Sequence, residues 1–329
     1  MEGLSVWTDA RWRASFDAWI DEALRDAGER RTGPLEVVHV RPWSTVVRTT
    51  TDHGIRFAKA GASTQRHEPA LLVHLAILDP GPLPEVIAVR PDAGWSITAD
   101  GGPLARDLPE RDAVLEAMEA VLPRYAELQA AAAPSLAAML AAGTPDRRAD
   151  ATAAALRRGL TDRSIVEGTF DEALASCGTE ELVSRLPELH DALADLEAGP
   201  IPVSMQHDDL HDANIFVGHG GRILDWGDAV IGHPFASLLG IEIALENRFE
   251  MLPGAPEAER LRRAYLEPWG TYGSVAELES IARRAIELNA ASRLLSWGRI
   301  MAVVPRAEID NEAAVWAREL LGVLRRADR

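Results

Sequence analysis

Histidine, carboxylate and amide side chains are concentrated in one stretch of the chain, residues 205–238. Within it, His207, Asp209, Leu210 and Asn214 follow the pattern H-x-D-L-x-x-x-N. In phosphoryl-transfer loops of this spacing, the aspartate accepts the proton of the attacking hydroxyl and the asparagine binds Mg²⁺. The spacing therefore predicts a loop that supports phosphoryl transfer.

A second aspartate and a distant lysine fit the same chemistry. Asp225 lies eleven residues after Asn214, in Ile-Leu-Asp-Trp-Gly, where the D-F-G motif has its metal-binding aspartate. Lys59 is the single lysine among 34 basic residues, and Glu68 follows it in the next predicted helix. A strand lysine held by a helix glutamate binds nucleotide phosphates in such sites. Each pattern alone is also typical of turns and surface charges, but the combination favours a phosphotransfer site.

The charge of the chain restricts its partners. The net charge is −17, and residues 99–329 hold 23 basic and 38 acidic residues, whereas residues 1–98 hold 11 and 13. An acidic surface repels nucleic-acid phosphates and anionic lipids, while a cationic small substrate is compatible with it. We therefore expect no nucleic acid and no membrane among the partners.

Cysteine content and the N-terminus indicate the compartment. The only cysteine, Cys177, excludes an intrachain disulfide and favours a reducing environment. Residues 1–12 lack the features of a signal peptide, and no apolar run approaches the ~20 residues of a membrane helix. We expect a cytoplasmic protein, and either a monomer or a homodimer agrees with the sequence.

The segments before residue 99 predict a small, mostly β lobe. Thr8 or Asp9 is expected to cap an N-terminal helix, and a helix starting at Gln65 carries Glu68. Runs rich in β-branched and aromatic residues predict an antiparallel meander followed by a hairpin, with Lys59 near the end of the third strand. These predicted strands are 35–43, 46–51, 55–60, 85–90 and 94–98.

The rest of the chain is predicted to be largely helical. A glycine-rich hinge is expected at 99–104, between an N-terminal lobe of residues 1–98 and a C-terminal lobe of residues 105–329. Short strands around a tight loop interrupt the helical lobe at the catalytic loop, 205–228. The predicted helices are 110–132, 149–159, 170–176, 180–197, 235–250, 257–267, 275–299 and 310–326.

The sequence resembles the aminoglycoside phosphotransferase and choline kinase-like family. That family's loop commonly reads H-G-D-L-H-x-x-N followed by I-D-W, and residues 205–216 and 222–228 are similar to it. The resemblance covers nearly the whole chain and implies an α+β, two-lobed protein-kinase-like fold. It also implies a Mg²⁺-dependent small-molecule kinase that uses ATP or GTP.

The resemblance implies a role for each matching residue. Asp209 would be the catalytic base, Asn214 and Asp225 the Mg²⁺ ligands, and residues 97–102 the segment that holds the base of the nucleotide. Lys59 would bind the nucleotide phosphates and Glu68 would orient it. The acceptor would be a small hydroxyl compound, with cationic examples among aminoglycosides, amino sugars and amino alcohols.

The sequence departs from the family pattern at several positions. Asp208 and Asp212 stand where the family usually has Gly and Pro, and His233 and Ser237 replace the aspartates of G-D-P-x-x-D-L. The contact made by the last of those aspartates is therefore either missing or made by Ser237 or His233. No glycine-rich loop precedes Lys59, so residues 42–45, including Ser44, would have to contact the phosphates.

Two alternative functions and one alternative for the acceptor site remain at this stage. A relative that binds nucleotide without turnover would keep the same fold, although it would not need Asp209. His207 and His211 could instead belong to a metal-dependent phosphohydrolase. The carboxylates Asp228, Glu242, Glu246 and Glu250 could line a cationic-substrate pocket or simply face solvent. Glu242, Glu246 and Glu250 lie on the helix predicted at 235–250, and Asp228 precedes that helix.

Overall fold

The computed structural model describes residues 2–161, 179–310 and 312–326. Cys177 and the helix predicted at 170–176 lie outside the described residues. Two N-terminal helices, α1 (Leu4–Thr8) and α2 (Ala10–Asp26), begin the chain. The Asp9 side chain accepts hydrogen bonds from the first backbone N–H groups of α2 and so caps it.

Five strands form one antiparallel sheet in the order β1-β2-β3-β5-β4. The apolar stripe of α2 packs against it, and the rings of Phe16 and Trp95 lie 5.0 Å apart. Lys59 is in β3, between β2 and β5, where it pairs with Val46 and Ser96. The strands are β1 (Glu36–Arg41), β2 (Ser44–Thr51), β3 (Gly54–Gly61), β4 (Val86–Arg90) and β5 (Trp95–Ala99).

The predicted hinge contacts the helical part of the chain closely. Val217 N–H donates to the Pro103 carbonyl at 2.9 Å, and Leu104 forms an antiparallel bridge with Phe216. A Cβ atom on Gly101 would overlap the ring of Phe216, so glycine is required there by close packing. The segment therefore lies directly against residues 216 and 217 of the catalytic loop.

Two predicted helices are each divided in the structure. The prediction of one helix at 180–197 was wrong, because Pro187 near the start of the second helix lacks the N–H that a continuous helix needs. The prediction of one helix at 275–299 was also wrong: it breaks at Asn289, whose side-chain amide donates to Asp208 Oδ1 and the Ala236 carbonyl. Both breaks depend on detail that apolar periodicity does not record.

The helices after β5 form most of the larger lobe. They pack around a core that includes Tyr125, Trp226, Phe235 and Tyr265, all fully buried. Helix α3 (Glu68–Leu78) lies earlier, between β3 and β4. The helices after β5 are α4 (Arg111–Ala132), α5 (Leu136–Ala141), α6 (Ala149–Thr161), α7 (Thr179–Ser184), α8 (Leu186–Glu197), α9 (Leu238–Phe249), α10 (Pro256–Leu266), α11 (Val275–Leu288), α12 (Ala290–Val303) and α13 (Glu312–Arg326).

Two short strand pairs carry the predicted catalytic loop. Strand β6 (Ser204–Gln206) pairs with β9 (Val230–Gly232), and β7 (Ile215–Phe216) pairs with β8 (Arg222–Ile223). The sequence analysis did not predict β9, because a strand of three residues is too short to show alternation. The paired strands hold the two ends of the loop in fixed positions.

The architecture confirms the predicted fold class, an α+β, two-lobed protein-kinase-like fold with a small antiparallel sheet and a largely helical remainder. Among the described residues, none of the helices has the length and apolar character that crossing a bilayer requires.

Candidate active site

His207 is a buried support of the loop. Its N–H donates to the Tyr125 hydroxyl at 2.9 Å and to Ser237 Oγ at 3.3 Å, and its ring Nε2 donates to the Leu224 carbonyl at 2.7 Å. Burial lowers the pKa of His207 to about 4, so the ring is neutral at pH 7. Ser237 and Tyr125 therefore both hold the backbone of the loop at His207.

Asp209 lies in the same loop with three polar groups around its carboxylate. Asn214 Nδ2 donates to the Asp209 carbonyl at 2.9 Å and to Asp209 Oδ2 at 3.3 Å. His211 Nε2 is 3.4 Å from Oδ2, and an Arg293 guanidinium nitrogen is 3.8 Å from Oδ1. Burial raises the pKa of Asp209, but His211 and Arg293 outweigh it and hold the pKa below its usual value. The carboxylate is therefore ionised at neutral pH.

Arg293 is a site residue that the sequence analysis missed. It lies in α12, and besides approaching Asp209 it donates to the Asp208 carbonyl at 2.6 Å. Its side chain is 14% exposed, and its guanidinium lies over the ring of Trp316, 5.5 Å from the centroid. An arginine in a predicted helix carries no local signal, so only the packing of α12 against the loop shows its place.

Lys59, Glu68 and Asp225 meet between the two lobes. Lys59 Nζ is 2.6 Å from Glu68 Oε2 and also contacts Asp225 Oδ1. Glu68 Oε1 accepts a further hydrogen bond from Trp226 N–H at 3.1 Å, which ties α3 to the residue after Asp225. Burial lowers the pKa of Lys59, but the two carboxylates outweigh it and raise the pKa above its usual value. The ammonium is therefore permanently charged.

The oxygen atoms of Asn214 and Asp225 fit the predicted Mg²⁺ ion. The Asn214 amide nitrogen is used on Asp209, which leaves the carbonyl oxygen for a cation, and the Asp225 side chain is 44% exposed. Mg²⁺ prefers oxygen ligands and usually takes one or two protein groups together with phosphate and water. Accordingly, the described residues contain no group of three or more His, Cys, Asp or Glu side chains that could hold a metal alone.

Ser44 lies at the start of β2, after the tight turn from β1. Ser44 is only 3% exposed. The hydroxyl of the neighbouring Thr45 donates to the His39 carbonyl at 3.2 Å. Trp43 packs edge-to-face on Trp297 of α12, with ring centroids 5.8 Å apart. This turn offers mainly backbone N–H groups, and the contact of Ser44 with phosphate stays a prediction.

Asp208 joins the catalytic loop to α12. It is 3% exposed and has a φ of 61°, in the left-handed region that favours glycine. Its carboxylate accepts hydrogen bonds from Gln206 Nε2 at 3.1 Å, Asn289 Nδ2 at 2.9 Å, Ser292 Oγ at 3.1 Å and Ser296 Oγ at 3.3 Å. These four bonds hold the residue that directly precedes the predicted base.

Asp208→Ala is expected to lower the free energy of unfolding by about 2–4 kcal/mol, because it leaves several buried donors without an acceptor. Urea unfolding followed by circular dichroism measures the loss. Glu250→Ala is the matched control, since Glu250 has a similar φ of 56° but is exposed. A loss in Asp208→Ala no larger than in Glu250→Ala would mean that the hydrogen bonds contribute little.

The negative charge of the buried Asp212 carboxylate is balanced by neighbouring cations. It is 2% exposed, contacts a guanidinium nitrogen of Arg248 from α9, and lies 3.6 Å from Arg106 and 3.7 Å from His211 Nδ1. Burial raises its pKa, but His211 and Arg248 outweigh it and lower the pKa to about 2. The aspartate that replaces the usual proline thus fastens the loop to α9.

A cleft of about 700 Å³ opens beside Asp209, and we call it the Asp209 cleft. It is bounded by the loop residues Asp209 and Asp212, by Ile243 and Arg248 of α9, and by Trp316 of α13. A Cβ atom on Gly240 would come within 2.6 Å of the Leu210 carbonyl oxygen, so glycine allows α9 to approach the loop. Lys59, Asn214 and Asp225 do not line this cleft. It therefore lies on the side of Asp209 away from the predicted phosphate site.

Fold and site together define a kinase-like phosphotransferase. The sequence profile of the phosphotransferase enzyme family matches residues 41–278, which is most of the chain and includes each predicted site residue. The chain therefore belongs to that family and is a phosphotransferase, as the resemblance implied. No curated protein sequence matches it.

Solved structures of small-molecule kinases share the fold. An ethanolamine kinase from Plasmodium vivax is 12% identical, with a TM-score of 0.60, and covers 88% of this chain and 81% of its own. A choline kinase from Cryptosporidium parvum is 13% identical, with a TM-score of 0.58 and coverages of 90% and 88%. A macrolide 2′-phosphotransferase from Brachybacterium faecium is 18% identical, with a TM-score of 0.53 and coverages of 92% and 98%.

Proposed function

We propose that the protein is a Mg²⁺-dependent small-molecule kinase that transfers the γ-phosphoryl group of ATP or GTP to a hydroxyl of a small acceptor. The contact of Lys59 with both Glu68 and Asp225 carries this proposal. Lys59 and Asp225 are 166 positions apart in sequence, yet they meet beside the loop that holds Asp209. Such a meeting of one cation and two carboxylates is what a phosphate and metal site requires.

The chain's own residues divide the work of this reaction. Lys59 would bind phosphate oxygens while Glu68 keeps the ammonium in place, and the oxygens of Asn214 and Asp225 would hold the cation. When bound, Mg²⁺ offsets the charge of the phosphates. The backbone of residues 97–102 would contact the base of the nucleotide. Catalysis of this kind depends chiefly on positioning and on charge stabilisation.

Asp209 would orient the acceptor. Because its carboxylate is ionised, it can accept a hydrogen bond from the acceptor hydroxyl and direct that oxygen at the phosphorus atom. The acceptor oxygen forms its bond to phosphorus, the nucleoside diphosphate leaves with the electrons of the broken bond, and the hydroxyl proton passes to Asp209. Asn214, His211 and Arg293 keep the carboxylate in one position during this step.

The two alternative functions have less support. A protein that only binds nucleotide has no need of an ionised Asp209 at the mouth of a separate cleft. A metal-dependent phosphohydrolase would need free imidazole ligands, but His207 donates to the Leu224 carbonyl and His211 lies between Asp209 and Asp212.

We further propose that residues 1–98 and 105–329 form two lobes joined by a hinge at 99–104. We also propose that the protein is cytoplasmic and is either a monomer or a homodimer.

An alcohol-dependent release of ADP or GDP tests the proposal. Purified protein is incubated with MgATP or MgGTP and a panel of amino sugars, aminoglycosides, macrolides and small alcohols. At least one alcohol is expected to raise nucleotide turnover above the water background, and EDTA is expected to reduce that turnover to background. Tight MgATP binding with no alcohol-dependent turnover would instead favour the non-catalytic alternative. Turnover that persists in EDTA would contradict the metal assignment.

A further inference from the structure

The residues of α9 that line the Asp209 cleft are apolar up to Ala244, and Asn247 and Arg248 follow them. Leu239 and Ile243 line it from one face of this helix, since positions four apart lie on the same side, and the adjacent Ala244 lines it as well. Trp316 of α13 adds an aromatic surface. An acceptor that fits this cleft would gain by covering the wall with an apolar face of its own.

The carboxylates of the cleft are already paired or assigned. Asp208 is surrounded by hydrogen-bond donors, and Asp212 is in contact with Arg248 and near Arg106. Asp209 is the predicted base and has Arg293 beside it. Within the described part of the chain, these carboxylates offer no unshared negative charge to an ammonium group.

The cleft as a whole is close to neutral. Its lining contains the four carboxylates of Asp208, Asp209, Asp212 and Glu312 and the three guanidinium groups of Arg106, Arg248 and Arg293. The guanidinium groups therefore offset three of the four negative charges. Of the four carboxylates, Asp209 and Asp212 lie near cations, and Asp208 accepts hydrogen bonds from neutral donors. Among the described residues, Glu312 has neither an ion pair nor a side-chain hydrogen bond.

The acidic residues considered for a cationic pocket lie elsewhere. Glu242 pairs with Arg262 at 2.6 Å on the other side of α9, and Glu246 and Glu250 are exposed. The lining of the Asp209 cleft includes neither these three residues nor Asp228. The net charge of −17 could still attract cations at long range. Salt screens that attraction over about 8 Å, so the groups inside the cleft decide which ligand is retained.

We infer that the Asp209 cleft takes an alcohol with an extended apolar face and at most one positive charge, and that it selects against polycationic acceptors. The inference rests on the proposed function, because it treats the cleft as the acceptor side of the kinase site. A polycation would have to give up the hydration of several ammonium groups for one unpaired carboxylate, Glu312. An apolar alcohol loses little on entering and keeps its hydroxyl beside Asp209.

The first test measures the chemistry of the cleft without a known substrate. The probes are anilinonaphthalene sulfonate, which is apolar and anionic, and spermine, which is polycationic. Ile243→Asp places a carboxylate on the apolar wall, and Leu252→Asp is the matched control because Leu252 is an apolar residue 64% exposed outside the cleft. Ile243→Asp is expected to weaken dye binding at least tenfold and to strengthen spermine binding, whereas Leu252→Asp changes neither.

Three outcomes of this test overturn the inference. They are dye binding that Ile243→Asp leaves unchanged, spermine binding to the wild type as tight as to Ile243→Asp, and equal effects of Ile243→Asp and Leu252→Asp. Thermal unfolding checks that the variants fold, and Ala244→Asp on the same face replaces Ile243→Asp if that protein does not fold. The measurements use the full chain loaded with MgADP and, in parallel, the full chain without nucleotide.

The second test separates this inference from the proposed function. An aminoglycoside and its fully N-acetylated derivative carry the same hydroxyl groups but differ in charge, and each is offered with MgATP. Faster ADP release with the acetylated compound supports the inference, and faster release with the parent aminoglycoside overturns it while the kinase assignment stands. If neither compound is phosphorylated, the dye and spermine result alone decides. If MgATP itself does not bind, the proposed function fails, and the dye and spermine result still reports the chemistry of the cleft.

Discussion

Asp209→Asn is expected to lower kcat by about 10²–10⁴-fold, the usual contribution of a positioned proton acceptor. Asparagine has nearly the same volume and can still accept hydrogen bonds from Asn214 and His211, so the loop should keep its shape. An amide cannot take the hydroxyl proton at neutral pH. The loss should therefore fall on kcat, with little change in the dissociation constant of the nucleotide.

The measurement is alcohol-dependent ADP release by Asp209→Asn, with MgATP binding followed separately by calorimetry. Asp195→Asn is a suitable control, because Asp195 is exposed in α8, away from the site. Unchanged MgATP binding together with a large loss of turnover would assign Asp209 to the chemical step. Turnover near that of the wild type would remove Asp209 from the mechanism and, with it, the main argument against a binding-only protein.

Lys59→Arg is expected to reduce turnover by about 10²-fold or more and to weaken MgATP binding, although the positive charge is kept. The ammonium lies between Asp225 and Glu68, 2.6 Å from Glu68 Oε2, and the Lys59 side chain is only 15% exposed. A guanidinium is planar and larger, and it presents its donors in a different geometry. It would displace one of the two carboxylates or move away from the phosphates.

Arg48→Lys, which makes the reverse exchange, is the control for this variant. Arg48 is in the neighbouring strand β2 and pairs with Glu36 on the exposed surface at 2.8 Å. Exchanging that pair should leave MgATP affinity and turnover unchanged, since exposed ion pairs contribute little. If Lys59→Arg retains wild-type kinetics, the single lysine of the chain has no special role, and the phosphate site must be sought elsewhere.

The replaced family residues act together around the loop. Asp208, in place of glycine, is bound by donors from the α11–α12 junction, and Asp212, in place of proline, is bound by Arg248 of α9. Ser237, in place of aspartate, joins Tyr125 in holding the backbone of His207. Two new carboxylates thus appear in the loop, and two are lost after it at His233 and Ser237. The loop is held by different partners while Asp209 keeps surroundings that leave it ionised.

Two side chains near the loop have buried nitrogen atoms without a partner among the described residues. The Nε and one terminal nitrogen of buried Arg147 and the Nε2 atom of His233 have no hydrogen-bond partner among the described residues. Both side chains line one small cavity of about 30 Å³ behind β9. Burial lowers the pKa of Arg147 to about 10, as expected of a buried cation without a close carboxylate. His233 stands where the sequence analysis expected an aspartate of the family pattern, and a neutral imidazole there supplies no negative charge to this cavity.

The sequence by itself determined the parts of the site that lie close together in the chain. The residues from His207 to Asn214 form one short continuous loop, so spacing alone indicated which side chains it carries. Helix α2 was predicted from its aspartate cap and apolar stripe, because capping and periodicity depend on near neighbours. The strands of the small lobe were predicted to within one or two residues for the same reason.

Only the tertiary structure decided how distant elements meet. Strand β5 lies between β3 and β4, so Lys59 is in the interior of the sheet, and the meander pattern did not contain that order. Arg293 reaches Asp208 across 85 positions, and Arg248 reaches Asp212 across 36. Contacts of this length depend on how whole helices pack, which no local pattern records. The charge balance of the Asp209 cleft depends on the same packing, so the acceptor chemistry could be inferred only from the folded chain.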